Sequence, residues 1–81
     1  MSKDEKKVAF KEAAKKYAKR FGFTGKLDFE DRDGGVETII PQSKVFAKPF
    51  FFNGDNLVTI KARGSSKNVM TIKFDEFIAT A

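Results

Sequence analysis

From Lys44 to Phe74 the chain reads KVFAKPFFFNGDNLVTIKARGSSKNVMTIKF. This is the longest β-like run in the sequence, broken by turn-forming clusters at Asn53-Gly54-Asp55-Asn56 and Arg63-Gly64-Ser65-Ser66-Lys67. Strands of this kind need an apolar face and a cover, so the rest of an 81-residue chain must supply that cover. The reading that follows is strand 44–52, strand 57–62 and strand 68–74. The phrase Thr59-Ile60-Lys61 returns as Thr71-Ile72-Lys73, which gives the last two strands the same pair of environments.

The cover comes first in the chain. Ser2-Lys3-Asp4-Glu5 has the spacing of a capping box, and Phe10, Ala13, Ala14, Tyr17, Ala18 and Phe21 form one helical stripe. Asp4 and Glu5 suit the positive end of a helix, Lys19 and Arg20 the negative end, and Gly22 suits a left-handed cap. A helix over about residues 3–21 is expected. At Lys26 the period changes to two, with Leu27 and Phe29 on one side and Asp28 and Glu30 on the other. A turn at residues 31–35 returns the chain as a strand over 36–40, ended by Pro41. Asp75 to Ala79 closes as a short helical turn.

The acids of the first turn do not fit a calcium loop. With Gly34 at the sixth position the first ligand would be Phe29, and with Gly35 there the third and fifth would be Arg32 and Gly34. The chain has no histidine and no cysteine, which removes the usual general base, the thiolate nucleophile and the common metal ligands. No catalytic residue, metal or cofactor is assigned, and the protein is read as a non-enzyme. Neither a signal peptide nor an apolar run long enough for a membrane is present, so a cytoplasmic location and no membrane partner are expected.

Charge is segregated along the chain. Residues 1–26 carry nine lysines or arginines against three acids, residues 27–37 one arginine against five acids, and residues 38–81 six basic residues against three acids. The overall +5 favours a polyanionic partner. If a four-residue turn pairs Phe52 with Leu57, then Ala47, Phe51, Val58, Ile60, Ala62, Met70, Ile72 and Phe74 form the core face under the helix. The other face then shows Phe46, Lys48, Phe50 and Phe52 beside Lys61, Arg63 and Lys73. Rings alternating with cations on a β surface suit single-stranded nucleic acid, whose bases stack while the cations track phosphates. Three packings compete for the same phenylalanines: a closed barrel, cover by the first hairpin, and a homodimer interface.

A helix followed by strands, with Gly64-Ser65-Ser66-Lys67 beyond them, resembles the order of double-stranded-RNA-binding domains, but Val69–Phe74 alternates as a strand and the remainder is too short for their second helix. No family is adopted. The expectation is one α+β domain over residues 1–81, an amphipathic helix on a twisted antiparallel sheet of about five strands (a meander over about 26–74, then a turn over 75–81) that can curl toward a partly open barrel. The expected function is non-enzymatic nucleic-acid binding, single strand favoured, through Phe46, Lys48, Phe50, Phe52, Lys61, Arg63, Lys67 and Lys73 on the sheet side, and Lys11, Lys15 and Lys19 on the helix. The rival is a protein-interaction module or an inhibitor of a partner enzyme.

Overall fold

The computed structural model describes residues 1–20, 26–40, 49–61 and 68–81. Helix α1 (Lys3–Arg20) is followed by strands β1 (Asp28–Arg32), β2 (Gly35–Ile39), β3 (Phe50–Phe52), β4 (Leu57–Lys61) and β5 (Asn68–Lys73), and by helix α2 (Phe74–Thr80). The strands form one antiparallel meander in the order β1-β2-β3-β4-β5. The sheet is an α+β arrangement that stays open, with β1 and β5 at its edges, and it does not close into a barrel.

The capping box forms as the spacing requires. Ser2 N–H donates to Glu5 Oε1 at 3.1 Å, and Glu5 N–H donates to Ser2 Oγ at 3.2 Å. Hydrogen bonding from Ser2, first of all from its backbone N–H, holds the exposed Glu5 carboxyl below its ordinary pKa. Phe10, Ala13, Ala14, Tyr17 and Ala18 are buried along the expected stripe; Phe21 and Gly22 lie outside the described residues. The first hairpin turns at Asp33-Gly34, both with positive φ (50° and 81°), the requirement of a two-residue type I′ turn that Asp-Gly meets at little cost.

The second described hairpin, β3 to β4, decides which side chains are inside. Asn53 Oδ1 accepts from the N–H groups of Asp55, Asn56 and Leu57 (2.8, 3.0 and 3.1 Å), and Asn53 N–H donates to Leu57 O. The loop is therefore three residues, Gly54 to Asn56, and not four. Phe52 pairs with Val58, Phe51 with Thr59 and Phe50 with Ile60. This one-residue shift from the expected register turns every β3 side chain to the other face. Gly54 cannot be replaced within this loop, because its φ is +88° and an added Cβ would stand 2.2 Å from Gly34 O.

The core lies between the sheet and both helices. Phe10 stacks on Phe52 and on Phe77, each with centroids 5.5 Å apart, and Tyr17 stacks on Phe77 at 4.5 Å. Phe50 meets Phe77 edge-on, and Phe74 lies 4.9 Å from Phe52. The expectation that α1 alone covers the sheet is thus corrected, since α2 inserts Phe74 and Phe77 into the centre. Phe74 opens this helix where a strand end was expected. The helix ends are joined by a Tyr17 hydroxyl bond to Thr80 Oγ1 and by Arg20 donating to Thr80 O at 2.9 Å. Thr38, fully buried, takes the place of ladder bonds: its Oγ1 accepts from Phe50 N–H at 2.9 Å and donates to Phe50 O at 3.0 Å.

Candidate functional site

With both helices on one face of the sheet, the other face is where strand chemistry is displayed. The register sets one row across it: Glu30, Glu37, Phe51, Thr59 and Thr71. Leu57 beside Lys73 lies to one side of this row, and Lys61 to the other. The face is divided by sign. β1 and β2 contribute Asp28, Glu30 and Glu37, balanced by Arg32, whereas β4 and β5 contribute Lys61 and Lys73.

Arg32 sits at the border between these halves. Its guanidinium donates to Glu37 Oε2 at 2.8 Å, lies 3.6 Å from Asp33 and stands 5.7 Å from the centroid of the Phe51 ring. Glu37 is only 2% exposed, so the bond from Arg32 is charge-assisted on a carboxylate that water scarcely reaches. The position of Phe51 is fixed by this cation on one side and by Thr59 on the next strand. Toward β5 the surface opens: Thr59 and Lys61 are half-buried, while Leu57, Thr71 and Lys73 are exposed.

The residues expected at the site divide into four groups. Phe46, Lys48, Arg63 and Lys67 lie outside the described residues. Phe50 and Phe52, expected on the outer face, are core residues with 1% and 0% exposure, and no base can stack on them; the three-residue loop at Gly54–Asn56 is the reason. The same shift moves Phe51 out of the expected core to the outer face, where it is half-buried. Met70, also expected in the core, is 49% exposed because β5 is an edge strand; Ala47 and Ala62 lie outside the described residues. Lys61 and Lys73 do share the outer face. Four residues of β strand separate their rows, about 13 Å along the strands.

The helix lysines are on the opposite side of the molecule. Lys11 lies against β1, its ammonium 5.8 Å from the centroid of the Phe29 ring, and its neighbour Lys7 is 3.8 Å from Asp31. Lys15 is exposed and 4.0 Å from Glu12, and Lys16 and Lys19 are exposed beside it. Since α1 covers the inner face of the sheet, Lys15 and Lys19 cannot share one flat contact surface with Lys61 and Lys73. Sequence reasoning missed Phe51 and Arg32. The signal available for Phe51 was Asn53, whose side chain can cap three amides and so favours the shorter loop.

Among the described residues no group of three or more carboxylates is arranged to hold a metal ion, and no helix is long and apolar enough to cross a membrane. No protein-family model, curated protein sequence or solved structure matches this chain.

Proposed function

We propose that the protein binds nucleic acid without catalysis, single strands favoured, on the outer face of β3, β4 and β5. Phe51 is the stacking ring in this reading, Thr59 and Thr71 supply hydroxyls, and Lys61 and Lys73 attract phosphates. The observation that carries it is the division of the outer face, which sets a ring and two cations on a half of the sheet separated from the acids of β1. Phe51 is the one accessible ring on this face among the described residues, and each stacked base contributes about 1–3 kcal/mol. The exposed Lys15, Lys16 and Lys19 supply at most long-range attraction to a ligand on the other face.

A protein partner is the second reading, and a specific surface favours it: Met1 and Val8, 74% and 60% exposed, border a shallow apolar depression with Ala9, Asp4 and Glu5. Fluorescence anisotropy with labelled single- and double-stranded oligonucleotides separates the two. Binding should weaken as salt rises, with a logarithmic slope of about −0.7 per phosphate contact on single strands. Lys61→Gln with Lys73→Gln should weaken it and flatten the slope, while Lys15→Gln with Lys19→Gln should leave the slope nearly unchanged. No binding to either oligonucleotide at low salt overturns the proposal.

A further inference from the structure

The two edges of the sheet are defended differently. The β1 edge carries Asp28, Glu30, Asp31 and Arg32, with Lys7 and Lys26 paired to Asp31 and Asp28 at 3.8 and 3.6 Å. Charge of this density blocks strand addition, because an incoming strand must desolvate it. The β5 edge has six residues, the longest strand of the sheet, and Lys73 is its one charged residue. It contains no proline, its Met70 is 49% exposed, and α2 turns inward against α1, β4 and β5 and so packs on the sheet's inner face.

We infer that β5 is the pairing edge for a second copy of this chain, joined antiparallel about a two-fold axis at Thr71. The register argues for this occupant. Centred on Thr71, the pairing sets Met70 of each copy opposite Ile72 of the other on the helix side, so the half-exposed methionine gains an apolar neighbour. On the outer side the two Thr71 residues face each other, and Lys73 stands opposite position 69. The Thr71 register opposes no like charges, and a two-fold contact closes on itself and leaves only the acid-bearing β1 strands as outer edges.

This pairing makes one ten-stranded sheet whose basic strands are central and whose acidic strands are peripheral. The value of that arrangement for a polyanion rests on the nucleic-acid reading above; the pairing itself does not. Sedimentation equilibrium in the absence of oligonucleotide therefore tests the edge alone. The wild-type chain should shift from monomer to dimer as concentration rises. Thr71→Lys and Thr71→Glu, at an exposed position that both residues can occupy, should each weaken the dimer about fivefold or more by opposing like charges, and an equimolar mixture of the two should recover it. Independently of any variant, amide exchange over residues 69–73 should slow with concentration while that of β1 does not. A wild type that remains monomeric, variants that dimerise as well as wild type, or open-ended growth through β1 joined to β5 would each overturn the inference. A dimer that binds no oligonucleotide would instead count against the nucleic-acid reading only.

Discussion

The two surfaces of the sheet share the tripeptide Phe50-Phe51-Phe52 and treat it in opposite ways. On the helix side, Phe50 and Phe52 join Phe10, Tyr17, Phe74 and Phe77 in a stacked aromatic cluster from which water is excluded. On the outer side, Phe51 is the one aromatic ring among the described residues, between Glu37 and Thr59 on the neighbouring strands, with Arg32 over its ring. Stability is therefore concentrated where the helices sit, and the outer side is able to vary its chemistry without unfolding the chain. The alternation of a strand makes this division possible: adjacent residues of one type serve two different solvents.

The largest test of that division is Phe77→Ala. Phe77 is fully buried and touches the rings of Phe10, Tyr17 and Phe50, so its truncation should cost about 3–5 kcal/mol in urea unfolding. A cost below about 1 kcal/mol would mean that α2 is not part of the core. On the outer side, Arg32→Ala removes the guanidinium that neutralises a carboxylate with little access to water. Because Arg32 itself is half-exposed and Glu37 keeps its other contacts, a loss of about 1–3 kcal/mol is expected, and Arg32→Ala with Glu37→Gln should recover part of it.

A sharper comparison uses the tripeptide itself. Phe50→Ala should cost about 3–5 kcal/mol, as for other buried phenylalanines, whereas Phe51→Ala should cost about 1 kcal/mol or less and reduce single-strand affinity instead. Equal stability losses at the two positions would place Phe51 in a packed interior. The smallest effect belongs to the helix start. Glu5 has its folded pKa lowered by bonds from Ser2, so its contribution to stability is present above the ordinary carboxylate value and is lost as pH falls through the folded value. Glu5→Gln should lower the melting temperature slightly at pH 7, and the difference from wild type should vanish in acid.

The sequence by itself determined the elements that depend on neighbours in the chain. The Ser2 and Glu5 capping box, the apolar stripe from Phe10 to Ala18, a turn within residues 31–35, which the structure narrows to Asp33-Gly34, and the alternation of β4 and β5 are all local, set by hydrogen bonds and dihedral preferences within a few residues. What only the tertiary structure decided were the choices made between segments. Asn53 had two loop lengths open to it, and the difference of one residue exchanged Phe51 for Phe50 and Phe52 across the sheet. Phe77 read as part of a short turn, yet packing against Phe10 and Tyr17 put it at the centre of the core, and Phe74, expected to end a strand on the core face, opens the helix that carries it. Likewise, the lysines of α1 and those of β4 and β5 are one basic population in the sequence. They became two surfaces because a helix must turn its apolar stripe to the sheet, which sends its cations to the opposite side from those on the outer strands.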